Sequence, residues 1–115
     1  MAHYATPRRG QVWKVSLDPT VGHELHKTRP AIVVTNDVYN AHNWVVIVVP
    51  LTSRATAAYD QILIQPPEGG LTNASATLPD QLRAIDRARL VEHLGDVSPQ
   101  TLARIDQSLR LVLDV

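Results

Sequence analysis

Hydrophobic and polar positions in the first two thirds of the chain alternate over short runs separated by turn residues. Residues 11–17 alternate with Trp13, Val15 and Leu17 on one side, which predicts a half-buried strand with these three side chains facing the core. Other apolar runs bounded by Pro, Gly, Asn or Asp predict further strands. These are residues 30–35, 44–49 (ended by Pro50), 60–64, 75–78 and 81–85.

The last part of the chain changes to a helical period. Apolar residues recur at three- and four-residue spacing at Leu102, Ile105, Leu109 and Val112. Ser98 supplies a capping hydroxyl and Pro99 fits the first helical position, so an amphipathic helix is expected within residues 98–113. A short helical turn is also predicted after Asn36 and Asp37. Residues 86–97 are ambiguous, with a candidate helical turn at residues 86–89, a candidate strand at residues 90–94 and an interruption at Gly95.

This order of elements predicts a fold that is mostly β with α, a small antiparallel barrel or curled sheet with the C-terminal helix packed on it. We expect one domain over residues 1–115, with a loose tail at residues 1–8. The absence of cysteine excludes disulfides and thiolate metal sites. No apolar run is long enough to cross a bilayer and no secretory signal is visible, so a soluble intracellular protein is expected.

The net charge is zero, but the charges are unevenly distributed. Residues 1–58 carry six Lys and Arg against three Asp and Glu, and residues 59–115 carry five against eight. This difference fits a basic face for a nucleic acid and fits unrelated surface charges equally well.

Polar residues at predicted strand ends are the candidates for chemistry. The loop over residues 18–28 contains His23 and Glu24, which form a candidate acid–base pair, and exposed solvated side chains are the alternative. Arg29 follows this loop, where it could bind loop carbonyls or clamp an anion. His23 and His26 lie three residues apart without a third ligand at metal-site spacing, so no metal and no cofactor are expected.

Two further pairs of residues also have both a structural and a functional interpretation. Thr52 and Ser53 follow the most apolar strand, where hydroxyls either cap backbone groups or bind a phosphate. Asp80 and Gln81 follow Pro79, where they either form a turn or bind base edges.

The residues in this order resemble the MazF/PemK family of toxin endoribonucleases. The resemblance rests on RRGQVWKVSLDPTVGHELHKTRPAIVVTND, then VVPLTS, then SATLPDQLRAIDRARL and the terminal helix, from residue 8 to residue 112. It implies a small SH3-like barrel similar to that of CcdB. It also implies a cytoplasmic homodimer that cuts single-stranded RNA without metal and leaves a 2′,3′-cyclic phosphate and a 5′-hydroxyl.

The resemblance also assigns roles to residues. It implies that Arg29 stabilises charge on the phosphorane, that Thr52 binds the scissile phosphate, and that His23 and Asp80 transfer protons. The candidate RNA-binding residues are Glu24, Lys27, Ser53, Arg54, Gln81 and Arg83. The chain departs from one branch of the family at Leu78, where members can carry a basic residue.

The resemblance implies a cognate antitoxin that lays an extended acidic segment over the RNA groove or the dimer edge. Two alternatives belong to other functional classes. One is a CcdB-like binder that poisons DNA gyrase through protein contacts, and the other is a weak enzyme that acts as a co-repressor with its antitoxin. Retention of both Arg29 and Thr52 favours the nuclease, because a pure binder does not need them. The bases recognised depend on the loops at residues 18–28 and 52–60.

Overall fold

A computed structural model describes residues 6–17, 28–54 and 58–115. In these ranges the chain forms seven strands, two α-helices and three short 3-10 turns. The strands and helices are β1 (Gln11–Ser16), β2 (Thr28–Val33), α1 (Asp37–His42), β3 (Val45–Thr52), β4 (Leu63–Ile64), β5 (Ser75–Thr77), β6 (Arg83–Asp86), β7 (Leu90–Asp96) and α2 (Pro99–Leu113). The 3-10 turns are Glu68–Gly70, Pro79–Gln81 and Arg87–Arg89.

The described strands pair in one curled antiparallel sheet. Its order is β4-β5-β3-β2-β1-β7, and β6 pairs with the first half of β3. The second half of β3 pairs with β5 instead, so β3 connects the two parts of the sheet. The predicted antiparallel curled sheet with a C-terminal helix is confirmed.

Two hydrophobic clusters lie on opposite faces of the central strands. Ile105 of α2 is buried in the first cluster with Val12, Ile32 and Leu51, so the helix covers that face. The second cluster contains Val15, Ala31, Val33, Val46, Val48 and Ile85. β2 and the later part of β3 bury residues on both faces, which fits their β-branched residues on either side, whereas Val45 and Ile47 at the start of β3 are exposed.

The prediction for β1 is correct for one face and incomplete for the other. Trp13 and Leu17 pack against the second cluster, in which Val15 is buried, as the alternation predicts. Val12, however, is fully buried in the first cluster, so β1 is covered on both faces rather than on one.

The prediction that Pro50 ends the third strand is wrong, because β3 continues to Thr52. β6 pairs with β3 only as far as Val48, and β5 begins its pairing at Leu51. Pro50 lies between these two ladders, where the N–H that it lacks is not needed on that edge. Its carbonyl accepts a hydrogen bond from the Leu78 amide at 2.9 Å, which joins the strand to the chain that leads from β5 to β6.

The remaining elements are close to the predictions. The predicted strand at 60–64 is reduced to Leu63–Ile64, whereas the candidate helical turn and the candidate strand within 86–97 both form, as a 3-10 turn followed by β7. Gly95 lies within β7 rather than interrupting it. A Cβ atom there would lie 2.6 Å from the carbonyl carbon of Gly69, so glycine permits a close backbone approach.

The two ends of the described domain are anchored by polar contacts. Ser98 caps α2, and its side chain accepts a hydrogen bond from the Thr101 amide at 3.1 Å. Of the predicted tail, residues 1–5 lie outside the described residues, but Pro7 is buried and Arg8 forms an ion pair with Asp37 at 3.3 Å. Within the described ranges, no helix is long and apolar enough to cross a membrane.

Candidate active site

A cleft of about 620 Å³ opens on the face of β1, β2 and β3 next to the chain that leads into β5. Its base includes the apolar side chains of Pro30, Leu51, Leu71 and Leu94. Its other lining residues are polar or small: Lys14, Thr28, Arg29, Thr52, Ser53, Arg54, Gly70, Thr72, Asn73 and Ser75. An apolar base with polar walls is typical of a site for a polar organic ligand.

Arg29 and Thr52 meet at this cleft although 23 positions separate them in sequence. β2 and β3 are antiparallel, with Ala31 opposite Pro50. The ladder extends to this pair, and positions 29 and 52 lie two residues beyond it on their own strands. The antiparallel direction therefore brings the start of β2 beside the end of β3, where both residues line the cleft.

The Thr52 hydroxyl makes one hydrogen bond within the protein and can make others to a ligand. Its oxygen accepts a hydrogen bond from the Arg54 amide at 3.1 Å, which is the backbone-capping role that the sequence left open. A hydroxyl also carries one donor and a second lone pair, so Thr52 can cap the backbone and still donate to an anionic oxygen.

The charges on the described lining residues of the cleft are all positive. Lys14, Arg29 and Arg54 contribute cations, and no described lining residue carries a carboxylate. Ser53 and Arg54 are exposed at the rim, where the chain leaves β3. The arrangement therefore suits an anion with more than one charge, such as a stretch of phosphodiester backbone.

Three of the predicted site residues, His23, Glu24 and Lys27, lie outside the described residues. The segment 18–27 that contains them connects β1 to β2. Thr28, the first described residue after it, lines the cleft.

The structure does not place Asp80, Gln81 or Arg83 among the residues that line the cleft. Asp80 and Gln81 are exposed in the 3-10 turn that follows β5, next to the middle of β3. Arg83 begins β6 and donates to the Leu17 carbonyl at 3.2 Å. The structure thus brings Arg29, Thr52, Ser53 and Arg54 together and leaves Asp80, Gln81 and Arg83 along the neighbouring part of β3.

Sequence reasoning missed two parts of the cleft. Lys14 alternates with Trp13 and Val15, which places it on the other face of β1, but the sequence alone gives no sign that this face meets a cleft. Thr72, Asn73 and Ser75 lie in a turn-rich stretch whose distance from β2 in sequence gives no sign that they meet. Within the described ranges, no group of three His, Asp or Glu side chains could hold a metal ion.

The fold and the cleft agree with a defined protein family. Residues 8–113 match the model of the PemK-like, MazF-like toxin of type II toxin–antitoxin systems, so the chain belongs to this family. The chain is 40% identical over 114 residues to endoribonuclease MazF9 of Mycobacterium tuberculosis, which covers 94% of this chain and 97% of the relative. The predicted resemblance is confirmed, and the chain is a toxin endoribonuclease of the MazF type.

Solved structures share the fold over almost the whole chain. MazF from Deinococcus radiodurans is 27% identical with a TM-score of 0.80, and the match covers 96% of this chain and 99% of that one. A mycobacterial endoribonuclease in complex with its cognate antitoxin is 26% identical with a TM-score of 0.75, covering 96% and 95%.

Proposed function

We propose that this endoribonuclease cuts single-stranded RNA at short sequences without metal, by attack of a ribose 2′-hydroxyl on the adjacent phosphate. The 2′-oxygen forms a bond to phosphorus while the bond from phosphorus to the 5′-oxygen breaks. A base removes the 2′-hydroxyl proton and an acid protonates the leaving 5′-oxygen. The products are a 2′,3′-cyclic phosphate and a 5′-hydroxyl.

The meeting of Arg29 and Thr52 at one cleft is the observation that carries this proposal. Negative charge builds up on the equatorial oxygens of the phosphorane, and a guanidinium can donate two parallel hydrogen bonds to them. The Thr52 hydroxyl can add a third donor. Preorganised donors of this kind stabilise a transition state more than a ground state, so no metal is required.

We propose that His23 and Asp80 carry out the two proton transfers. Histidine ordinarily titrates near neutrality, which suits general acid or base catalysis, and His23 lies in the segment that leads into β2. Asp80 lies beside β3, because the Leu78 amide bonds to the Pro50 carbonyl, so RNA that extends from Thr52 back along β3 towards Pro50 would approach it.

RNA contacts around these groups are assigned to Glu24, Lys27, Ser53, Arg54, Gln81 and Arg83. Single-stranded RNA suits the cleft because unstacked bases expose their edges and faces, which the apolar base and polar walls can contact. DNA is excluded as a substrate because it lacks the attacking 2′-hydroxyl.

We also propose that a cognate antitoxin inhibits this chain in the cytoplasm by covering the cleft with an extended acidic segment. The positive charge of the described cleft lining supports this, since the same cations that bind phosphates bind carboxylates. The related mycobacterial endoribonuclease, which was solved with its antitoxin, is consistent with such pairing. An antitoxin that inhibits equally well after loss of its acidic segment would contradict this mode.

We propose a homodimer as the working form. The end of α2 exposes Leu111, Val112 and Leu113, and the edge strand β4 exposes Leu63. The Ser108 hydroxyl donates to the Asp60 carbonyl, so the two groups lie near each other. Clustered apolar side chains of this kind are buried in a subunit interface more often than left in water. Light scattering on the purified protein would give the mass directly.

The test of the reaction is cleavage of single-stranded RNA by the purified protein in EDTA. We expect 5′ ends that polynucleotide kinase labels without prior phosphatase treatment, since they carry a hydroxyl. The variant Arg29→Ala, at matched folded concentration, should form almost no product. Product that appears only with added metal, or full activity of Arg29→Ala, would contradict the proposal.

A further inference from the structure

Lys14 is a cation of the cleft that takes no part in the reaction proposed above. It lies on β1 directly opposite Pro30 of β2, one residue from the Val15–Arg29 pair. Its side chain is 43% exposed, so solvent and a ligand can both reach the ammonium group. The other described cations of the cleft are Arg29 and Arg54.

The partner of Lys14 in this structure is Glu92 on the other neighbouring strand. The two residues are directly opposed in the β1–β7 ladder, and the ammonium nitrogen lies 3.5 Å from a carboxylate oxygen. The Glu92 side chain is 60% exposed. An ion pair this exposed is weak, because water screens the attraction and two long side chains must be held in place.

We propose that Lys14 is an additional RNA-binding residue, which leaves Glu92 and binds a backbone phosphate next to the scissile one. Glu92 then acts as an internal competitor that weakens RNA binding. This inference rests on the proposed function of the same cleft, and it adds a residue and a competing carboxylate to it.

The sheet geometry determines which phosphate Lys14 would meet. Neighbouring strands are about 4.8 Å apart, so β1 and β3 are separated by about 10 Å across β2. Lys14 is opposed to Pro30, whereas Arg29 is opposed to Val15, and successive side chains of a strand point to opposite faces. Lys14 and Arg29 therefore reach the cleft from different faces of the sheet and are not expected to hold the same phosphate. A single strand of RNA that crosses the sheet from β3 to β1 presents a second phosphate to Lys14.

Glu92 lies at the end of that path. A phosphate near Lys14 would meet the negative charge of Glu92 as well as the positive charge of Lys14. Removing only the Glu92 charge should therefore strengthen binding, while removing only the Lys14 charge should weaken it. A merely structural ion pair would give neither result in an RNA-binding measurement.

The test uses a single-stranded RNA with a 2′-deoxy residue at the cut site, so that binding is measured without cleavage. Lys14→Gln should raise Kd about 5-fold near 0.1 M salt, and the slope of log K against log salt should fall by about 0.7. Glu92→Gln should lower Kd by about 3-fold, as expected for loss of a nearby like charge. In the Lys14→Gln background, Glu92→Gln should have a smaller effect than in the wild type.

Matched controls remove one charge each from another exposed ion pair, Arg8–Asp37, which does not line the described cleft. These are Arg8→Gln and Asp37→Asn, and both should leave Kd and the salt slope unchanged. Unchanged Kd and salt slope for Lys14→Gln would refute the role of Lys14. If wild-type protein still cleaves RNA and Arg29→Ala does not, the proposed function of the cleft is unaffected by that result. If wild-type protein neither binds nor cleaves RNA, the proposed function fails as well.

Discussion

Arg29 of β2 and Thr52 of β3 line the same cleft, two residues beyond the Ala31–Pro50 pair of their antiparallel ladder. This relationship requires β3 to continue past Pro50, since a strand that ended there would leave Thr52 in a loop. The gap between the β6 and β5 ladders accommodates Pro50 at that point. A local exception to strand rules therefore positions the proposed phosphate site.

The first prediction concerns the proton transfers. His23→Ala and Asp80→Asn should each reduce the cleavage rate by about 100-fold if each residue moves one proton. In the variant that lacks the base, the cleavage rate should no longer increase with pH on the acidic side of the profile. In the variant that lacks the acid, the rate should no longer decrease with pH on the alkaline side. Rate profiles from pH 5 to 9 would assign the roles, and a full rate with an unchanged profile would exclude the residue tested.

The second prediction concerns base recognition. Asn73 is exposed at the cleft wall, and its backbone carbonyl accepts a hydrogen bond from the Ser75 hydroxyl at 3.0 Å. Its side-chain amide offers both donors and an acceptor to a base edge. Asn73→Ala should change the preference at one base by about 10-fold, measured by sequencing the ends of cut random RNA. Gln107→Ala, on the exposed side of α2, should leave the preference unchanged.

The third prediction concerns the backbone at the edge of the cleft. Gly70 has φ +68°, and a Cβ atom there would lie 1.9 Å from the Leu94 carbonyl oxygen. Gly70→Ala should therefore destabilise the fold by about 3 kcal/mol, because strain and a clash with backbone add together.

Gly10→Ala is the matched control for Gly70→Ala. Gly10 also has a positive φ, but its added Cβ atom would meet Leu102 at an ordinary 3.4 Å. Gly10→Ala should therefore lower the free energy of unfolding only by the backbone strain at positive φ, about 1 kcal/mol. If urea unfolding gave the same loss of unfolding free energy for the two variants, the close approach to Leu94 would be shown to be unimportant.

The fourth prediction concerns pH and stability. The Ser98 amide donates to the Glu68 carboxylate at 2.9 Å, and this bond, together with the Thr101 side chain and the charge of Arg104, lowers the pKa of Glu68 against the effect of desolvation. Folding therefore favours the ionised carboxylate. Its stabilisation is present above the unfolded-state pKa of about 4.3 and disappears as the pH falls through the lower folded-state pKa.

Glu68→Gln should accordingly cost about 1 kcal/mol at pH 7 and almost nothing at about pH 2. Urea unfolding at a series of pH values measures the difference. Glu92→Gln removes an exposed carboxylate and should change stability by less than about 0.5 kcal/mol at pH 7. A constant cost for Glu68→Gln across the pH range would show that the ionised group is not what stabilises α2.

The sequence predicts elements well where one local signal dominates. Ser98-Pro99 and the apolar repeat predict α2, and the β-branched runs predict the central strands, because caps and periodicity act over a few residues. It fails at Pro50, since the tolerance for proline depends on which strand lies alongside. Lys14, Asn73 and Gly70 were missed for the same reason. They join the cleft through tertiary contacts that no local pattern encodes.

The most direct test of the central claim is a double-mutant cycle between Arg29→Ala and Thr52→Val in single-turnover cleavage of RNA. If both side chains hold one phosphodiester in the transition state, Arg29→Ala should slow cleavage by about 10²- to 10³-fold. Thr52→Val should slow it by about 10-fold or more, and the double variant should lose clearly less than the product of the two effects. Purely multiplicative losses, or full activity in either single variant, would contradict a shared site.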